Sequence, residues 1–231
     1  SRCAVRDLTI AIDDREIVGF LGLNGAGKTT VLRMLAGLLA PSTGKIEIDG
    51  ANMLANSSRH LRSRIGFLPD RPPLYEEMTV RAYLDFATRL RGYDEAHAGK
   101  RVEEVIERTG CSAYADEPIA NLSHGYRQRV GIAQAIAHDP KLVILDEPTS
   151  GLDPVQIVEM RALIRSLEDR HTVLLSSHNL PEISQSCDRL MVIHEGRIVA
   201  QGSEAEMTRA QLGNVTLGVL IEVRGSGAVF R

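Results

Sequence analysis

The sequence predicts an α/β fold built on a parallel sheet, and three observations carry that prediction. Short runs rich in β-branched and other apolar residues recur along the 231 residues, several of them nearly continuous, as in strands buried on both faces. Helical patterns alternate with these runs, the order expected of strand–helix–strand units. A glycine-rich stretch, 22–29, stands between one such run and a helical pattern.

The first strand is expected over 16–21 and the helix after the glycines over 30–39, where Pro41 stops it. Further strands are expected over 45–48, 65–68, 141–145, 172–176, 190–194 and 197–201. The segment 79–138 is different, because it holds helical patterns only: 80–91, then 95–109 ended by Gly110, then 123–138. It reads as a helical insertion ahead of the strand at 141–145. Residues 215–223 (VTLGVLIEV) read as a strand that opens a further small domain. The chain starts at Ser1 without Met and stops at Arg231 without a closing signal, so it reads as a piece of a longer polypeptide.

The glycine-rich stretch Gly22-Leu23-Asn24-Gly25-Ala26-Gly27-Lys28-Thr29 fits G-x-x-x-x-G-K-S/T in the strand–loop–helix setting that a phosphate cradle requires. Glycines allow the backbone N–H groups to turn inward, and the following helix N-terminus favours negative charge. Asn24, Gly25, Ala26, Gly27, Lys28, Thr29 and Thr30 are therefore the candidate triphosphate-binding residues. Lys28 would reach the β- and γ-phosphates, and the Thr29 hydroxyl would hold Mg²⁺. The apolar strand at 141–145 runs into Asp146 and Glu147. In a P-loop protein an acid at that place holds Mg²⁺, here Asp146, and Glu147 stands where it would polarise an attacking water.

Bulk properties narrow the reading. A formal net charge of −3 argues against a basic face for nucleic acid, and 4% aromatic content leaves little stacking surface. Cys3, Cys111 and Cys187 are odd in number and widely spaced, which favours reduced thiols over a disulfide frame. No apolar run approaches the roughly 18–20 residues of a membrane span, and no signal peptide is evident. A soluble chain is expected, with any membrane role supplied by a partner.

Four more segments carry a family resemblance: Asn121-Leu122-Ser123-His124-Gly125-Tyr126-Arg127-Gln128-Arg129, Pro148-Thr149-Ser150-Gly151-Leu152-Asp153-Pro154, Ser176-Ser177-His178 and Ile65-Gly66-Phe67-Leu68-Pro69-Asp70. Their order and spacing resemble the nucleotide-binding subunit of ATP-binding-cassette (ABC) transporters over nearly the whole chain, to about Gly202. The resemblance implies a P-loop NTPase (RecA-like) core with a parallel sheet, an antiparallel β subdomain and an α-helical subdomain inserted over about 71–140. It implies an ATPase domain over 1–214 and a truncated C-terminal extension from 215. It also implies that Ser123 and the Gly125 N–H bind the γ-phosphate of ATP held by a second subunit, that Asp153 communicates across that interface, and that His178 contacts the γ-phosphate and the attacking water.

Some positions depart from the family pattern. His124 and Tyr126 replace the usual Gly and Gln, while Ser123 and Gly125 are kept. Asp70 stands in place of the usual Gln that ligates Mg²⁺; its carboxylate still offers oxygen, but it is shorter and charged. Residues 68–75 and 123–126 resemble the exporter-type branch that includes gliding-motility and nitrous-oxide-reductase accessory ATPases. The aromatic that stacks on adenine in this family would fall about two residues before Ser1.

The resemblance implies MgATP hydrolysis with Glu147, His178 and Lys28 as catalytic residues and Thr29, Asp146 and Asp70 as metal ligands. Expected partners are a second ATPase subunit as a homodimer and an integral-membrane permease, with no nucleic acid. The chain would then sit at the cytoplasmic face of the cell membrane, meeting the permease through 70–88, where Pro72, Pro73, Leu74, Tyr75 and Met78 are apolar. The rival reading is a soluble ABC ATPase not coupled to transport; a single cassette and the lack of sustained heptads weigh against it. A non-hydrolytic switch is opposed by Lys28, Asp146, Glu147 and His178, and a GTPase by the lack of an N-K-x-D motif.

Overall fold

The computed structural model describes residues 4–54 and 59–207. Six strands form one sheet in the order β4-β5-β6-β1-β7-β8: β4 (Ile65–Leu68), β5 (Leu142–Asp146), β6 (Thr172–Ser177), β1 (Ile17–Leu21), β7 (Arg189–His194) and β8 (Arg197–Gly202). All pairings are parallel except β7 with β8, which closes a hairpin at the edge. The antiparallel part expected beside this core is small among the described residues. It consists of a separate ribbon of β2 (Glu47–Ile48) and β3 (Ala51–Asn52), with that β7–β8 pair. The predicted strand at 215–223 lies outside the described residues.

The near-continuous apolar strands are explained by the two cores they separate. Successive side chains point to opposite faces, so Val143 and Leu145 enter one core while Ile144 enters the other. Val173 and Leu175 part from Leu174 in the same way. On one face lies α1 (Lys28–Leu35), which contributes Val31 and Leu32. The other face receives α5 (His124–Ile136) and α6 (Pro154–Ser166) through Ile132, Ile136, Met160 and Ile164. Burial on both sides leaves the C-terminal ends of the parallel strands as the open edge, where ligands gather in such sheets.

Helix α1 starts two residues earlier than the pattern predicts and ends four earlier, at Leu35 rather than Leu39. Gly37, at φ 71°, supplies the left-handed turn that terminates it well before Pro41, and its N–H donates to the Met34 carbonyl. The short α2 (Arg59–Arg62) precedes β4, and between β4 and β5 the elements are helical: α3 (Val80–Leu90), α4 (Glu95–Arg108) and α5, with two single 3₁₀ turns. Each opens on a side-chain cap: Thr79 accepts from the Ala82 N–H, Asp94 from His97 and Ser123 from Tyr126. Helix α6 opens on Asp153, which accepts from the N–H groups of Val155 and Gln156, with Pro154 as the first helical residue. The short α7 (Leu180–Ile183) follows β6. No helix among the described residues is long and apolar enough to cross a membrane.

Candidate active site

Strand β1 delivers the chain to the glycine-rich loop, and α1 carries it away. Gly27 sits at φ 110°, and a Cβ there would lie 2.7 Å from the Ala4 carbonyl oxygen, so the loop closes against the chain start only with glycine. Lys28 is buried; its Nζ donates to the Gly22 carbonyl at 2.6 Å and pairs with Glu147 Oε1 at 3.3 Å. The ammonium thus lies within its own loop, facing the carboxylate at the end of β5.

The acids are fixed by the neighbouring strand. Asp146 pairs in register with Ser176 of β6, and the Ser176 hydroxyl donates to Asp146 Oδ1 at 2.6 Å. Asp146 Oδ2 accepts from the Thr29 hydroxyl at 3.0 Å, which joins β5 to the first turn of α1. Glu147 is held at φ 52°, a left-handed conformation uncommon for a residue with a side chain. Its N–H donates to Ser176 Oγ at 3.1 Å and its carbonyl accepts from the Ser150 N–H at 3.0 Å, so the strained turn is tied on both sides. Glu147 Oε2 lies 2.9 Å from His178 Nδ1, at the end of β6.

Lys28, Thr29, Asp146, Glu147 and His178 line one cavity of about 410 Å³, together with Ala4, Leu23, Asn24, Gly25, Gly27, Thr30, Asp70 and Ser150. The described fold therefore gathers Asn24, Gly25, Gly27, Lys28, Thr29, Thr30, Asp70, Asp146, Glu147 and His178 in one place. Ala26 is buried behind the loop, with its side chain in the core. Ser123, Gly125 and Asp153 do not line this cavity. Ser123 and Asp153 are exposed at the N-termini of α5 and α6, and Gly125 packs against the Gln156 side chain of α6. His124 brings its Nε2 within 2.9 Å of the Ser150 carbonyl, joining the start of α5 to the turn after Glu147. The Asp70 carbonyl accepts from Gln128 Nε2 at 3.4 Å, which links the exit of β4 to α5.

Sequence reasoning names the Ser176-Ser177-His178 segment without giving Ser176 a role. The in-register pairing of β5 with β6 is the signal that would have found it, and it is a tertiary one. Ser150, which the sequence places in the segment 148–154 without a role of its own, and Ala4 line the cavity.

A parallel sheet with a glycine-rich loop between β1 and α1, a lysine within that loop and acids at the end of β5 define a P-loop nucleoside triphosphatase. The chain belongs to the ABC transporter ATP-binding family: residues 5–150 match the family model described as ABC transporter. A Bacillus subtilis protein, the uncharacterized ABC transporter ATP-binding protein YxlF, is 39% identical over 96% of this chain and 74% of its own length. The bacitracin transport ATP-binding protein BcrA of Bacillus licheniformis is 43% identical over 87% of this chain and 65% of its own. Among solved structures, cbiO1 of Clostridium perfringens, part of the ABC transporter complex cbiONQ, superposes with a TM-score of 0.80. It is 30% identical over 90% of this chain and 87% of that one. The chain is an ATP-binding ATPase domain of this family.

Proposed function

We propose that this chain hydrolyses MgATP as one of a pair of identical subunits and that the cycle drives an integral-membrane permease from the cytoplasmic face of the cell membrane. The observation that carries this reading is the meeting of Lys28, Thr29, Asp146, Glu147 and His178 in one cavity while Ser123 and Gly125 stand outside it. A cradle for ATP on one surface and a helix N-terminus on another suit two copies packed head to tail. Each nucleotide would then lie between the cradle of one copy and Ser123 and Gly125 of the other, with Asp153 at the same junction.

The oxygen donors fit Mg²⁺. Thr29 Oγ1 and Asp146 Oδ2 stand 3.0 Å apart, Asp70 shares the cavity, and hydroxyl and carboxylate oxygens suit a hard cation. The described residues hold no cage of three or more His, Cys, Asp or Glu, so phosphate oxygens and water would complete the coordination. Bound there, the ion offsets phosphate charge. Loop N–H groups and Lys28 bind and orient the triphosphate, whose oxygens compete with Glu147 for the ammonium. Glu147 then orients a water and takes its proton, and His178, 2.9 Å away, holds the carboxylate and water in line. Loss of the γ-phosphate would remove the charge that bridges the two copies and let them part.

The test is steady-state MgATP hydrolysis. Glu147→Gln keeps the shape of the site and removes the base, so turnover should fall about 10²–10⁴-fold. Wild-type turnover in that variant would refute the assignment of Glu147.

The permease contact is assigned to 70–88. Tyr75 lies 5.9 Å from Tyr83 and 5.7 Å from Phe86, and Tyr75 and Phe86 are exposed. Leu74 and Met78 pack partly against the core, so the aromatic cluster offers the contact surface. The export direction rests on the resemblance of 68–75 and 123–126.

A further inference from the structure

Glu182, in the short helix α7, takes part in none of the motifs, yet both of its carboxylate oxygens are engaged. Oε2 accepts from the Thr149 hydroxyl at 2.9 Å, and Oε1 accepts from Asn179 Nδ2 at 2.5 Å. Thr149, almost fully buried, lies two residues beyond Glu147 in the turn that leaves β5. Asn179 directly follows His178 in the turn that leaves β6, and its own N–H donates to Ser177 Oγ at 3.0 Å. One carboxylate therefore joins the two turns that carry the base and the histidine.

We propose that Glu182 is a positioning residue for ATP hydrolysis: its carboxylate sets the turn bearing Glu147 in register with the turn bearing His178. This rests on the reading of Glu147 as the base. β5 and β6 pair in register as far as Asp146 and Ser176. Past that pair the Glu147 N–H is tied to Ser176 Oγ, but Thr149 and Asn179 lie further along, where Glu182 joins the two turns. The 2.9 Å contact between Glu147 and His178 therefore depends on where two separate turns settle. The Glu147 turn is also strained, at φ 52°, and relaxes unless its surroundings hold it. A displacement of about 1 Å at a reacting group costs about a hundredfold in rate. The loop and α1 bind the triphosphate, and α1 packs on the opposite face of the sheet from Ile183 of α7, so a fault at Glu182 enters the chemical step and not affinity.

The experiment measures MgATP hydrolysis by the purified full chain, with thermal unfolding recorded alongside. Glu182→Ala should lower kcat about 10–100-fold and leave KM within about twofold. Glu182→Gln keeps an acceptor for Asn179 and gains a donor for the Thr149 hydroxyl, so it should restore most of kcat. Thr149→Val removes one arm, should give an intermediate kcat, and carries the test if Glu182→Ala fails to fold. In the Glu147→Gln background, adding Glu182→Ala should cause no further loss, because the two act as one unit. Wild-type kcat in Glu182→Ala, or an additive loss in the double variant, would overturn the proposal. If Glu147→Gln itself turned over normally, the reading of the base would fall instead.

Discussion

His138 shows how a single buried side chain ties this fold to pH. Its Nε2–H donates to the Ile65 carbonyl at 3.0 Å, while its Nδ1 is buried without a partner among the described residues. Burial, then the nearby positive charge of Arg91, push its pKa from 6.5 down to about 4. Arg101 and His171 also disfavour the proton, and burial lowers His171 as well. The unfolded chain takes up a proton near pH 6.5 that the folded chain refuses until about pH 4. Stability is therefore full above pH 6.5 and falls as pH drops through that window. Between about pH 7.5 and about pH 5 the wild type should lose on the order of 2 kcal/mol more than His138→Gln, read from urea unfolding. Equal losses would contradict the assignment. Among the residues that line the cavity, Lys28, Thr29, Asp146, Glu147 and His178 were legible because a phosphate cradle and its acids call for those residue types at fixed offsets. Ser176 and Glu182 were not, because their roles arise from the pairing of strands thirty residues apart and from where two turns meet.

Helix α5 is the element that carries Ser123 and Gly125, and it is held at both ends. At its start Ser123 caps it. At its end Arg101 of α4 donates through Nε to the Ala137 carbonyl at 3.0 Å and through Nη2 to the Ile136 carbonyl at 2.8 Å. The same guanidinium pairs with Asp139 and Glu104. These bonds satisfy carbonyls that the last turn leaves open and bind α4 to α5 as one body. Arg101→Met keeps the apolar stem and removes the donors, so stability should fall by about 2–4 kcal/mol in chemical denaturation. A change within about 0.5 kcal/mol would show the clamp to be inert. The sequence locates α5 to within one residue at its start, where Ser123 caps it, and to within two residues at its end. The ribbon of β2 and β3 left only half a trace, because strands of two residues are too short to show a period. The length of α1 was misread because Pro41 is a visible stop, whereas Gly37 acts through a conformation that the pattern does not record.

At the scale of the whole molecule, the cavity and the α5 N-terminus are, on the proposed reading, two half-sites that meet when two copies associate. Both were foreseeable from motifs, but their separation on the surface follows from α5 and α6 packing on the opposite side of the sheet from α1. Copurification from gently solubilised membranes should bring down a multi-span protein in stoichiometric amount, and recovery with ribosomes, DNA or nothing would oppose the transporter reading. Whether two copies complete each other's ATP site is read from light scattering on size-separated Glu147→Gln protein with and without ATP. The expected result is the mass of one chain without nucleotide and of two chains with ATP, reversed by Ser123→Arg at the half-site outside the cavity. A mass of one chain at saturating ATP, or an ATP-induced pair that Ser123→Arg leaves intact, would contradict it.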